Sequence, residues 1–299
     1  MRLEELINKA TQLEPKVVAV AAAEDEEVME AVSEAIKRNL ASFILYGNEK
    51  KISDLLSKHN LEVNGTSLQV MDASTPKEAA HLAVKAVSSK EADVLMKGNV
   101  ATATILKEVL NKEYGLRAGS VLSHVAAFEV PGYDRLIFVT DAAMNVAPTI
   151  EQKVQIVQNS VQVARSIGVE LPKVAPIAAV EVVNPAMEAT TDAALLTQMN
   201  KRGQITGCIV DGPLALDNAV SPLAAKHKGI ESEVAGQADI LFVPTIEVGN
   251  VLYKSLIYFA NAKVGAIIAG AKAPIVLTSR ADSAESKLNS LALAVSSVK

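Results

Sequence analysis

Short apolar runs recur along the chain, and between most of them lies a stretch whose apolar residues repeat at helical spacing. Val17–Ala21 is followed by Glu24–Asn39, where Val28, Val32, Ala35 and Ile36 mark one helical face. Phe43–Tyr46 precedes a helix marked by Ile52, Leu55 and Leu56. Leu68–Met71 precedes Thr75-Pro76-Lys77-Glu78, a capping box with proline at the first helical position. Val94–Met96 precedes a helix over Ala101–Asn111. Val121–Val130 and Leu136–Thr140 flank the turn Pro131-Gly132-Tyr133-Asp134 and read as a hairpin-like excursion. A second capping box, Thr149-Ile150-Glu151-Gln152, opens a helix that stops near Gly168. Strands follow at Val174–Val180, Cys208–Val210, Ile240–Val243, Val264–Ile268 and Ile275–Leu277. This alternation predicts the α/β class, a mostly parallel sheet covered by helices on both faces.

A chain of 299 residues gives room for two such domains, and the boundary is placed near residue 143, after the irregular stretch. With 49% hydrophobic and 21% charged residues the chain is an ordinary globule. Aromatics are only 3% and tryptophan is absent, so Ala, Val, Ile and Leu must build the core, as in buried parallel strands. A net charge of -5 speaks against a broad nucleic-acid surface, though a few local cations suffice for a small anion. The N-terminal segment lacks the apolar run of a signal peptide, no stretch approaches the ~20 residues of a membrane span, and the lone Cys208 allows no internal disulfide. The expectation is a cytoplasmic protein that touches neither nucleic acid nor membrane.

Ligands of open α/β sheets bind at the carboxyl ends of strands. The polar residues just after each predicted strand are Lys97-Gly98-Asn99, Asp141, Asn145, Glu181, Asn184, Asp211-Gly212, Glu247-Gly249-Asn250 and Ser279-Arg280. Absent are the dinucleotide glycine fingerprint, the P-loop, the nucleophile elbow, the zincin motif and C-x-x-C. His59 and His81 fall on predicted helices away from strand ends; His124, in the excursion, stays a weak candidate. Cys208 lies in an apolar strand and reads as a buried, inert thiol.

Four blocks in the second half carry the functional reading. They are Asp211-Gly-Pro-Leu-Ala-Leu-Asp217-Asn-Ala-Val-Ser221-Pro, Val234-Ala-Gly236 through Pro244, Glu247-Val-Gly249-Asn250-Val-Leu-Tyr253-Lys254, and Ala273-Pro274-Ile-Val-Leu-Thr-Ser279-Arg280. Gly249-Asn250, placed after a strand and opening a helix, offers free N–H groups and a helix dipole to an anion, with Lys254 one turn on. Arg280 can hold phosphate bidentately. Each block also has a bland reading. Lys97 reads evenly as a solvated strand-end lysine or a ligand, Lys254 taken alone reads better as an exposed helix lysine, Asp211 and Asp217 read as turn formers, and Ser279 as a cap, although Asp282 and Ser283 stand better for that.

In order and spacing these blocks resemble the phosphate acetyl/butyryltransferase family, with weaker similarity through Asp141–Asn145 back to Asp93–Asn99. The resemblance implies two α/β/α three-layer domains of the isocitrate/isopropylmalate dehydrogenase-like type, with the active cleft between them. The domains would be 1–143 plus 271–299, and 144–270. The implied reaction is reversible transfer of a short acyl group between coenzyme A and inorganic phosphate, giving acyl phosphate. It needs no metal, no permanently bound cofactor and no covalent enzyme intermediate. Coenzyme A enters as substrate, and a homodimer or larger assembly is implied.

By the match, Ser279 positions the thioester or thiol, Arg280 binds phosphate, and Asn250 with the Gly249 backbone lines the same cleft. Lys97, Gly98, Asn99, Asp141, Asn145, Asp211 and Lys254 join the binding set. The acetyl branch carries an aspartate base seven residues after the serine, where this chain has Ser286 with Glu285 before it. Either Glu285 substitutes or base catalysis is dispensable. The stretch Gly115-Leu-Arg117-Ala-Gly119-Ser-Val-Leu-Ser123-His124 looks like the butyryl branch, which favours butyryl or branched short acyl groups over acetyl. The competing readings are an acetyl-specific enzyme, a non-catalytic binder of acyl-CoA or a phosphorylated ligand, and, distantly, a metal- and NAD(P)-dependent decarboxylating dehydrogenase, for which no compact carboxylate pair is found.

Overall fold

The computed structural model describes residues 1–279 and 282–298. In chain order the first elements are α1 (Leu3–Ala10), β1 (Val17–Ala21), α2 (Glu26–Lys37), β2 (Ser42–Gly47), α3 (Glu49–Lys58), β3 (Leu68–Asp72), α4 (Pro76–Ser88), β4 (Val94–Lys97) and α5 (Thr102–Val109). There follow β5 (Ser123–Glu129), β6 (Ile137–Thr140), α6 (Ile150–Ser166), β7 (Lys173–Pro176), α7 (Glu188–Lys201), β8 (Ile209–Val210), α8 (Leu216–Val220) and α9 (Pro222–His227). The last are β9 (Ile240–Phe242), α10 (Ile246–Tyr258), β10 (Lys263–Ala269), β11 (Ile275–Val276) and α11 (Ala284–Ser296).

The chain divides into two units. One joins Arg2–Ser120 to the segment from Val264 onward; the other is Val121–Lys263 with Met1. The division at Ser120 lies before the boundary expected near residue 143. The reason is the hairpin: β5 and β6 pair antiparallel, and β6 runs parallel to β9, which commits both to the second unit. Nothing in the hairpin's own residues announces which sheet it joins. The C-terminal division likewise falls at Lys263/Val264, because β10 pairs antiparallel with β11.

In the first unit the strands lie in the order β3-β2-β1-β4-β11-β10, parallel except for β10. Strand order reverses at β1, since β2 and β3 extend to one side and β4 lies on the other. That makes the carboxyl ends of β1 and β4 the topological switch point. Helix α4 packs on β1, β2 and α5, while α11 packs on α1, α2 and β11. Val18, Ala19, Val20 and Ala21 of β1, and Val94, Leu95 and Met96 of β4, are almost fully buried, as strands covered on both faces must be.

In the second unit the order is β5-β6-β9-β7-β8, with β6, β9, β7 and β8 parallel. Strand β7 stops at Pro176, shorter than its apolar run. Both expected helix starts are present. Thr149 forms a full reciprocal box with Gln152. Thr75 accepts from the Glu78 amide, but the Glu78 carboxylate reaches the Ser74 amide instead of Thr75. Among the described residues no helix is long and apolar enough to cross a membrane.

Candidate active site

The candidate residues sit at or after the carboxyl-terminal ends of the strands in each unit. In the first unit β4 lies between β1 and β11, with Ala21 opposite Lys97 and Met96 opposite Val276. Parallel neighbours end on the same edge, so Lys97-Gly98-Asn99 and Ser279 share it. Ser279 is exposed; Lys97 is buried, and its ammonium donates to the Gly98 carbonyl at 3.1 Å.

Gly98 has a packing reason to be glycine. A Cβ there would stand 2.1 Å from the Ala22 carbonyl oxygen. The amides of Gly98 and Asn99 donate to the carbonyls of Ala21 and Ala22 at 2.8 and 2.6 Å. These two amides therefore lock the β1 and β4 ends together and are not available to an anion. Ala22 accommodates this with φ of 56°, in the left-handed region that a side chain disfavours. The Asn99 side chain is exposed at the same edge.

The turn after β11 is tied locally. The Ser279 amide donates to the Asp282 carboxylate at 2.7 Å, and the Asp282 amide donates back to the Ser279 carbonyl at 3.1 Å. Ser283 caps α11 by accepting from the Ser286 amide at 3.2 Å, and the Ser286 hydroxyl bonds that of Ser283. Ser286 is thus part of a cap. Arg280 lies outside the described residues. Glu285 is exposed and lines a surface groove of about 490 Å³ with Glu30, Glu34, Lys37, Arg38 and His59.

In the second unit Asp141 is the hub. It is buried at the end of β6, and its Oδ1 accepts from the amides of His124, Ala143 and Met144 at 3.0–3.2 Å. Its Oδ2 accepts from the Asn145 amide at 3.1 Å and from the Asn145 side chain at 2.5 Å. The same Asn145 amide group donates to the Leu122 carbonyl at 2.8 Å. Both residues brace the 141–145 loop, through the two Asp141 carboxylate oxygens and the Asn145 side-chain NH₂.

Gly249-Asn250 does not open its helix. Helix α10 starts at Ile246 after Thr245, and the Gly249 amide donates to the Thr245 carbonyl at 3.1 Å. The expected anion-binding N–H at Gly249 is therefore occupied within the helix. Glycine is required there because α10 passes against the 141–142 backbone. Asn250 is exposed and its Nδ2 donates to the Ala142 carbonyl at 3.4 Å; Lys254 is exposed one turn further on. Asp211 stands apart at the end of the outer strand β8, its amide on the Val174 carbonyl at 3.2 Å. His124 belongs to a ring cluster, 5.7 Å from Tyr253, which in turn meets Phe128 at 5.2 Å.

The structure thus brings Lys97, Asn99 and Ser279 to one edge, and Asp141, Asn145 and Asn250 to one loop cluster in the other unit. Asp282, which the sequence offers as a cap, ties the Ser279 turn locally, whereas the support from Lys287 is not apparent from sequence reading because it depends on burial. Burial pushes the Cys208 thiol up to about 11, against its ordinary 9.0, and so away from nucleophilic use.

Parallel-rich strands covered by helices in each unit, with polar residues at the strand ends, define a ligand-binding α/β protein. The family model described as "Phosphate acetyl/butaryl transferase" matches residues 2–80 and 73–295, and the chain belongs to that family. It is 60% identical over 295 residues to a probable phosphate butyryltransferase of Bacillus subtilis (strain 168), covering 99% of this chain and 97% of the relative. Identity to the phosphate butyryltransferase of Clostridium beijerinckii is 52%, covering 97% and 96%. The structure superposes on a branched-chain phosphotransacylase from Enterococcus faecalis V583 with a TM-score of 0.84 at 38% identity, covering 95% of this chain and 99% of the other.

Proposed function

We propose that the protein is a phosphate acyltransferase that moves a butyryl or branched short acyl group between coenzyme A and inorganic phosphate. The observation that carries this reading is the shared edge where the exposed Ser279 turn ends beside Lys97. The names of the relatives at 52% and 60% identity support the butyryl assignment.

In the forward reaction a phosphate oxygen attacks the thioester carbonyl carbon, and negative charge develops on the carbonyl oxygen. The carbon–sulfur bond then breaks, the acyl phosphate leaves, and the thiolate takes up a proton. Ser279 is assigned to hold the thioester or thiol and Arg280 to neutralise phosphate. The Lys97 ammonium, at a strand end with little water, adds positive potential along the same edge. Asn99, Asn250 and Lys254 are assigned to the substrates. Asp211 keeps only a peripheral place in this assignment.

The reading extends to self-association in the cytoplasm. Helix α10 is apolar on most of its surface, yet only Gly249 is buried. Val251, Tyr258 and Phe259 are 66%, 70% and 87% exposed. We infer that a second copy covers this stripe. Glu247 and Lys254 give the helix no net charge, so two copies meet there without repulsion, and two-fold pairing would double the apolar area removed from water.

The test mixes purified protein with butyryl-CoA and follows thiol release with and without phosphate, with acetyl-CoA in parallel and no added metal. Phosphate-dependent release that is faster with butyryl-CoA is expected. Release independent of phosphate would overturn the mechanism. Light scattering after size exclusion is expected to give a multiple of 31.5 kDa, and Phe259→Glu to shift it towards one copy.

A further inference from the structure

Lys287 stands in the second turn of α11 and is only 2% exposed. A cation is disfavoured there twice over. Burial strips its water, and the positive end of the helix dipole lies close by. Leu288, Leu291 and Ala292 around it are buried, so packing alone would be met by a methionine or leucine. Among the described residues the ammonium has one hydrogen-bond partner, the carbonyl oxygen of Asp282, and no carboxylate pairs with it. Asp282 in turn holds Ser279 from both sides, its carboxylate on the Ser279 amide at 2.7 Å and its own amide on the Ser279 carbonyl at 3.1 Å. The three residues form one relay from the helix interior to the exposed serine.

We propose that Lys287 is a positioning residue for the acyl transfer. It clamps the Asp282 carbonyl, and Asp282 fixes the turn that presents Ser279 at the sheet edge. This rests on the assignment of Ser279 as the group that holds the thioester. A displacement of that turn by even 1 Å is enough to lower the rate by about 10²-fold. A buried ammonium suits the task because a bond from a charged donor to a backbone carbonyl is roughly twice as strong as a neutral one. Its stem is fixed by the core, so the turn is anchored to α11.

The experiment uses the full chain with Lys287→Met, Lys287→Arg and Asp282→Ala. It measures kcat and KM for phosphate and butyryl-CoA, melting temperature, and amide exchange of the peptide spanning residues 277–283. Lys287→Met is expected to lower kcat at least about ten-fold with KM for butyryl-CoA changed less than about three-fold, and to speed exchange in that peptide. Lys287→Arg, which keeps a charged donor for the Asp282 carbonyl, is expected to recover part of the rate that Lys287→Met loses. Asp282→Ala, which leaves the buried site intact, is expected to reproduce the kcat loss. A Lys287→Met protein that turns over within about two-fold of the parent overturns the proposal. If that variant does not fold, parental turnover by Asp282→Ala overturns it. Absence of phosphate-dependent release in the parent would instead remove the acyl-transfer reading, and the exchange comparison would still decide the clamp.

Discussion

Gly249 on α10 and Asp141 at the end of β6 approach so closely that a Cβ on the glycine would stand 2.5 Å from the Asp141 carbonyl oxygen. The same atom would meet the Ala142 Cα at 2.9 Å. Both neighbours are backbone, so neither can swing away. Gly249→Ala is therefore expected to destabilise the protein by roughly 2–3 kcal/mol through overpacking, against the ordinary gain of alanine inside a helix. Thermal melting of the purified variant checks this, and an unchanged melting temperature would mean that α10 is free to shift.

Asp141 gathers five hydrogen bonds on two carboxylate oxygens. Asp141→Asn puts a donor where an acceptor is needed. The expected loss is about 3 kcal/mol, read from the midpoint of urea unfolding. If binding of substrate were its main role, activity would fall while the midpoint stayed in place.

Cys208 gives a pH test. Its folded thiol titrates near 11 and its ordinary value is 9.0, so the folded state disfavours the thiolate. The contribution to stability is complete below pH 9 and is lost as pH rises towards 11, on the order of 2 kcal/mol in all. Cys208→Ser is expected to flatten that part of the stability profile. In the parent at pH 8, alkylation by iodoacetamide is expected to be slow until denaturant is added.

Glu285 and Ser279 separate two roles. Ser279→Ala is expected to lower kcat/KM for butyryl-CoA by about 10²-fold with little change in melting temperature, because the residue is exposed. Glu285→Gln decides the base. A fall of about 10²-fold or more in kcat would assign the proton transfer to Glu285, whereas full activity would make a protein base dispensable.

Much of the first unit was legible because its strands are uniform apolar runs separated by amphipathic helices, as in Val17–Ala21 and Val94–Lys97. The strand-end rule also placed Lys97, Asn99 and Ser279 on a common edge once the strands were ordered. It misread Gly249. The helix begins at Ile246, and glycine inside a helix signals close approach here, which only the folded backbone reveals. Asp141 and Asn145 carry polar side chains of the kind that bind ligands, but their partners are amides two to four residues away and the neighbouring β5 region. Lys287 was invisible for a related reason. A lysine in the first half of a helix reads as solvated until burial is known.

The unit that holds Arg2–Ser120 is discontinuous in sequence, because the segment from Val264 onward completes it. Strand β11, from the C-terminal segment, sits beside β4 in that unit's sheet. During synthesis the residues up to Ser120 therefore emerge with one side of β4 unpaired, and the missing strand is made only after Val121–Lys263. At ~5–20 residues per second about 10–30 s of translation separate the two. The Val121–Lys263 unit is continuous and can finish on the ribosome in the meantime. For that interval an apolar strand stands with an open edge, the state in which nascent sheets are most prone to wrong pairing, so the yield of folded protein depends on how that edge is shielded until the final helix arrives.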